Sequence, residues 1–141
     1  MALRVAMIGY GAVGSIHAAK LAKEPGIDLC VVYGPKPEKA STFASAHGIK
    51  YTSPVVADAC SRAEVAIVCS PSTVHFQQSR ECLQAGLHTL VELPPCEKSS
   101  AGGRTGRPGA PARRPVGMCS HQPLADPVRV ARSMYPEGNF G

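Results

Sequence analysis

Apolar positions along the first 95 residues fall into five short runs separated by stretches of mixed polarity. Leu3 to Ile8 (LRVAMI), Ile27 to Tyr33 (IDLCVVY), Ile49 to Thr52, Glu64 to Cys69 (EVAIVC) and Leu87 to Glu92 (LHTLVE) are each too short for a core helix. Several are β-branched and bounded by Gly or Pro, so each predicts a strand, and the near-continuous runs predict strands buried on both faces. The intervening stretches predict helices. These are Ser15 to Lys23, Pro37 to His47 with Pro in its first turn and Gly48 ending it, Pro54 to Cys60, and a longer one running to about Ala85 that Ser72 or Thr73 caps. Strand, helix and strand are complete within about thirty residues, the length a parallel pair with a crossover helix needs. The fold class is therefore α/β, a doubly wound parallel sheet.

The first run ends in Gly9-Tyr10-Gly11-Ala12-Val13-Gly14, a G-x-G-x-x-G spacing set between a strand and a helix. That context gives each glycine a role in a dinucleotide-binding turn. Gly9 lets the chain leave the strand tightly, Gly11 lets backbone amides approach a diphosphate, and Gly14 lets the helix pack on the strand. The diphosphate would rest on the helix N-terminus, at the amides of Gly11, Ala12, Val13 and Gly14, where unpaired N–H groups and the helix dipole favour negative charge. The ends of the first and fourth strands should flank the ligand crevice, so Ser70, Pro71, Ser72 and Thr73 face the glycine turn.

A carboxylate normally follows the second strand and binds the adenosine ribose hydroxyls. Here the segment reads Gly34-Pro35-Lys36-Pro37-Glu38-Lys39, and that carboxylate is missing. Lys36 or Lys39 would instead meet a 2′-phosphate, so NADP is expected slightly ahead of NAD.

Composition changes the picture in two places. Residues 1–96 carry 8 Lys/Arg against 7 Asp/Glu, whereas residues 97–141 carry 7 against 3, so the net charge of +5 belongs mainly to the tail. Within that tail, Ala101 to Gly117 holds five Gly, three Pro and four Arg with no acid, too little apolar surface to offset its chain entropy. An irregular basic segment is expected over 96–117, and its lack of aromatics argues against nucleic acid as a partner. Val116 to Cys119 then predicts a sixth strand. The six cysteines include no C-x-x-C pair, which argues against a zinc knuckle or a dithiol motif and for reduced thiols; Cys119 and His121 lack further ligands, so no metal is expected. No apolar run is long enough to cross a bilayer and the N-terminus does not read as a secretory signal, so a cytoplasmic protein is expected.

The combination of RVAMIGYGAVGSIH, a strand ending in CSPSTVH, a helix ending in CLQAG, and HTLVELP resembles the N-terminal domain of the Gfo/Idh/MocA oxidoreductases. The resemblance covers about residues 3 to 95, giving a dinucleotide-binding Rossmann domain over 1–95 and a remnant strand and helix over 118–141. It implies NAD(P)-dependent hydride transfer on a sugar, inositol or related polyol, with cofactor contacts from Gly9, Gly11 and Gly14 and further ones from Ser70, Pro71, His75 and Glu92. It places His17 near the crevice, although packing on the first helix is the preferred role. In the family the fifth strand ends in Glu-Lys-Pro and the Lys takes part in catalysis; this chain has Glu92-Leu93-Pro94, so no catalytic residue is assigned. Leucine neither donates a hydrogen bond nor relays a proton. Family members continue into a substrate domain that often builds a homo-oligomer. A truncated, non-catalytic form that only binds the dinucleotide is thus the alternative expectation, with a shifted reading frame or a splice change as the expected origin of the Arg/Gly/Pro run.

Overall fold

In the computed structural model, residues 1–94 and 116–119 are described. Among them six strands form one sheet in the order β3-β2-β1-β4-β5-β6, and every neighbouring pair is parallel. The strands are β1 (Leu3–Ile8), β2 (Ile27–Tyr33), β3 (Tyr51–Ser53), β4 (Val65–Val68), β5 (His88–Glu92) and β6 (Val116–Cys119), with helices α1 (Ala12–Leu21), α2 (Pro37–His47), α3 (Val56–Ser61) and α4 (Ser72–Gln84) between the first five. Strand order reverses between β1 and β4. This is the doubly wound Rossmann-type arrangement that the apolar runs predict.

Side-chain alternation divides the core into two layers. Val5 and Met7 of β1, Ile67 of β4, and Ala18, Ala40, Phe43 and Ala44 of α1 and α2 pack on one face. Ala6 and Ile8, Ala66 and Val68, Val91, and Val56, Ala59, Cys60 and Cys82 of α3 and α4 pack on the other. The alternation slips once in β2. Val5 pairs with Leu29 and Ala6 with Val31, leaving Cys30 as an extra residue, and Cys30 and Val31 consequently join the same layer. The Cys30 thiol donates toward Val5 O at 3.5 Å and Arg62 O at 3.4 Å, and burial raises its pKa above the usual thiol value.

Three expected boundaries move. The first helix opens in the glycine turn, as expected, with Gly11 as N-cap and Ser15 N–H donating to Gly11 O at 2.9 Å, but it ends at Leu21 and not Lys23. The third strand starts at Tyr51 and not Ile49, whose N–H closes α2 on Ala44 O at 2.9 Å while Gly48 turns at φ 69°. The fourth helix has Pro71 at its N-cap, extended at ψ 143°, with no side-chain cap bond, so Ser72 and Thr73 are helical and do not cap it. Other edges shift by a residue or two, including α3, which starts at Val56 after Ser53 Oγ has taken the Val55 N–H at 3.1 Å.

Cys30, Cys60, Cys69 and Cys82 are buried and form no disulfide among the described residues. β6 lies beside β5 as expected, and its first two residues fall within the 96–117 span. The rest of that span, the remainder of 118–141 and the Cys119–His121 pair lie outside the described residues or their described side chains. Among the described residues no cluster of His, Cys, Asp or Glu could hold a metal ion, and no helix is long and apolar enough to cross a membrane.

Candidate functional site

The carboxyl ends of β1, β2, β4 and β5 meet at one edge of the sheet, and the glycine turn crosses their centre. Gly9 sits at φ 117°, and its N–H donates to Tyr33 O at 3.1 Å. A Cβ on Gly9 would stand 2.7 Å from Ser70 N and 2.9 Å from Cys69 C, backbone atoms that cannot swing away. Both the angle and the space require glycine. At Gly14 a Cβ would meet Cys69 Sγ at 3.0 Å and Gly9 O at 3.2 Å, so this glycine lets α1 lie close on the turn.

Gly11 differs from both. Among the described residues beyond its own turn nothing lies within 4 Å of where its Cβ would be, and its backbone does not take a positive φ. No contact and no backbone angle among the described residues calls for glycine there; it stands at the helix N-cap, where glycine is favoured over alanine, and leaves the space above the amides open. The first turn of α1 has no side-chain cap and no acidic residue, so the N–H groups of Ala12, Val13 and Gly14 are left to a ligand or solvent. That open cradle fits a diphosphate.

A cavity of about 490 Å³ lies beside the cradle. Gly9, Tyr10 and Gly11 line it from the turn, Tyr33 and Pro35 from the end of β2, and Cys69, Ser70, Pro71, Thr73, Val74 and Gln78 from the end of β4 and the start of α4. The Ser70 hydroxyl donates to the Gln78 side-chain carbonyl, which fixes its position at the rim. The cavity volume is in the range of ordinary small-molecule sites.

The remaining sequence-predicted residues occupy different places. His75 is 2 % exposed and lies beneath the rim, with Nδ1 2.8 Å from Pro94 O and Nε2 2.5 Å from Ser70 O. It ties the end of β4 to Pro94, two residues beyond β5, and does not line the cavity. Glu92 turns toward α1, where its Oε1 is 2.5 Å from His17 Nε2. His17 is therefore more than a packing residue, because it holds a carboxylate that is only 7 % exposed at the sheet edge. Lys36 is exposed at the N-cap of α2 and does not line the cavity. Leu93 is 44 % exposed. Sequence reasoning missed Tyr10, Tyr33, Pro35, Cys69, Val74 and Gln78 as lining residues; the position of Tyr10 inside the glycine motif was the available signal.

A doubly wound parallel sheet with an open glycine cradle at its strand-order reversal defines a nucleotide-binding α/β domain. The family model described as an oxidoreductase family with an NAD-binding Rossmann fold, GFO_IDH_MocA, matches residues 3–104, and the chain belongs to that family. Among curated relatives, 4-carboxy-2-hydroxymuconate-6-semialdehyde dehydrogenase of Sphingobium sp. is 32% identical over 94 residues, 65% of this chain and 30% of the relative. D-glucoside 3-dehydrogenase of Escherichia coli is 30% identical over 96 residues, 66% of this chain and 27% of the relative. The fold matches scyllo-inositol dehydrogenase from Lactobacillus casei, solved with bound NAD(H) and scyllo-inositol, at a TM-score of 0.84 and 23% identity, over 100% of this chain and 43% of that one. The chain thus spans less than a third of the length of these curated relatives.

Proposed function

We propose that the chain holds NAD or NADP for an oxidoreductase of the Gfo/Idh/MocA type, acting by hydride transfer on a hydroxyl-bearing or carbonyl carbon of a sugar, inositol or related polyol. The observation that carries this reading is Gly11, a glycine whose missing side chain faces open space over uncapped helix amides. When bound, the coenzyme accepts or supplies the hydride at its nicotinamide ring. The chain's own part is binding and orientation. The amides of Gly11, Ala12, Val13 and Gly14 hold the diphosphate. Ser70 and Pro71 form the facing wall. His75 braces that wall through the Ser70 carbonyl, and Glu92, kept in place by His17, presents a carboxylate at the β5 end. A reducing, cytoplasmic setting belongs to the same reading.

Titration of the full chain with NADH and NADPH, read by nicotinamide fluorescence, tests the binding. Saturable binding that Gly11→Ala weakens by more than it lowers stability is expected; binding of neither coenzyme overturns the reading. Turnover is tested on a panel containing a glucoside, an inositol and a semialdehyde, the substrate types named in the relatives.

A second reading, coenzyme binding without turnover, is favoured by Leu93. The family resemblance puts a catalytic lysine at this position, and an apolar side chain there carries no proton. Coenzyme binding with no turnover on the panel selects this reading. Reduction that Leu93→Lys accelerates rejects it.

A further inference from the structure

Two buried thiols outside the coenzyme crevice face one another. Cys60 lies in the last turn of α3 and Cys82 in the last turn of α4, helices that pack together in one layer of the core, and their Sγ atoms are 3.6 Å apart. The other buried thiols are placed differently. Cys30 reaches the carbonyls of Val5 and Arg62, and Cys69 those of Ile8 and Gly9, so each is held by backbone and not by a second sulfur.

A disulfide needs its sulfurs about 2.05 Å apart, so this pair must close by about 1.5 Å. The short helix can supply that movement: α3 has only 6 residues, and Cys60 stands one residue from its end. Access comes from the sheet edge away from the glycine turn. There a cavity of about 300 Å³ is bordered by Leu3 at the start of β1, Glu64 before β4, and Leu87 and His88 at the start of β5. Cys60 forms part of its wall and Cys82 does not. A thiolate at Cys60 accepts the hydrogen bond of the Cys82 thiol, which holds Cys60 below the ordinary thiol pKa and Cys82 above it.

We infer that Cys60 and Cys82 are a peroxide-responsive pair, closing into a disulfide that joins α3 to α4 and reopening under a thiol reductant. The Cys60 thiolate attacks one oxygen of hydrogen peroxide; the O–O bond breaks, the departing hydroxide takes a proton and leaves as water, and Cys60 becomes a sulfenic acid. The Cys82 sulfur, giving up its proton, then attacks Cys60 Sγ, the S–O bond breaks and a second water leaves. Both sulfurs are oxidised and one peroxide is reduced to two waters. The two cysteines are 22 residues apart, so the bond restrains the unfolded chain and stabilises the folded one. None of this depends on coenzyme binding.

The experiment treats the full chain, Cys60→Ala and Cys82→Ala with hydrogen peroxide, blocks the remaining thiols in denaturant and maps the peptides. Cleavage after Lys, Arg and Glu places Cys60 in 51–62, Cys82 in 82–92 and Cys96 in 93–97, each without another cysteine. Peptide 51–62 linked to 82–92, and released by dithiothreitol, is expected, with Cys30 and Cys69 recovered as blocked thiols. In Cys82→Ala, Cys60 should stop at a sulfenic acid that dimedone traps. The melting temperature of the oxidised chain should rise by at least about 5 °C and return on reduction, while the same treatment gives Cys60→Ala no rise. The peptide map of the unmodified chain decides the linkage even where an alanine variant does not fold. Recovery of Cys60 and Cys82 as blocked thiols, a link from either to another cysteine, or a linked chain that melts no higher than the reduced one overturns the inference.

Discussion

The turn after β1 and the strand ends beside it serve the same crevice by different physical means. Between Gly9 and Gly14 the groups left open are backbone amides, and the chain's contribution is to keep side chains away: at Gly9 and Gly14 its own atoms lie within 2.7 to 3.2 Å, and at Gly11 the space stays clear among the described residues. At the ends of β2 and β5 the contacts are side chains. There Tyr10 covers Gly34, Glu92 is tied to His17, and Leu93 stands exposed. A backbone cradle tolerates almost no substitution at its glycines, whereas a side-chain contact can be exchanged without altering the fold. The difference explains how this chain keeps the nucleotide turn while departing from the usual pattern on both flanks.

The comparison can be broken most severely at Gly9. Gly9→Ala combines a strained φ with a backbone clash and should lower stability by roughly 2–5 kcal/mol, together with loss of coenzyme binding. Urea denaturation followed by circular dichroism measures it, and a change within error would show that the turn relaxes more freely than its 2.7 Å contact implies.

Gly11→Ala should separate binding from folding. The methyl meets open space among the described residues, but alanine caps a helix less well than glycine, so stability should fall by about 0.5–1 kcal/mol. The same methyl under a diphosphate costs about 1–3 kcal/mol of binding, or roughly five- to 150-fold in affinity. Equal losses in both would mean that the glycine serves the fold, not a ligand.

On the side-chain flank, His17→Ala leaves the Glu92 carboxylate without its partner and should cost about 1.5 kcal/mol, a typical value for a hydrogen bond to a charged group. Chemical denaturation reads the stability. A parallel coenzyme titration shows whether Glu92 must be held to contribute.

The smallest effect belongs to the opposite edge of the sheet. Glu64 Oε2 accepts the Arg4 backbone N–H at 3.2 Å and faces Arg4 Nε at 3.5 Å. The Arg4 backbone hydrogen bond, aided by the guanidinium, holds the Glu64 carboxyl below its ordinary pKa. Because the folded pKa is the lower one, the stabilisation is present above the unfolded carboxylate pKa and is lost as pH falls through the folded value. Glu64→Gln should therefore trail the unmodified chain slightly in urea midpoint at neutral pH, with the gap closing in acid. Coenzyme binding at neutral pH should not change.

Much of this arrangement was written in local patterns. The runs ending at Ile8, Tyr33, Cys69 and Glu92 predicted strands because period-two burial on both faces demands continuous apolar sequence, and α2 was bounded at Pro37 and Gly48 by residues that start and stop helices for steric reasons. The glycine spacing marked the cradle for the same reason, since a backbone geometry that admits only glycine leaves its mark on the sequence. What the sequence did not determine is which side chains meet across the strand ends. His17 and Glu92 are 75 residues apart, and Tyr10 reaches Gly34 from the neighbouring strand end. Partners of that kind are chosen by sheet order and helix placement, and in a chain read residue by residue they carry no periodicity or spacing to betray them. The fold follows from short-range sterics and burial; the contacts that tune its site are decided only once the strands are laid side by side.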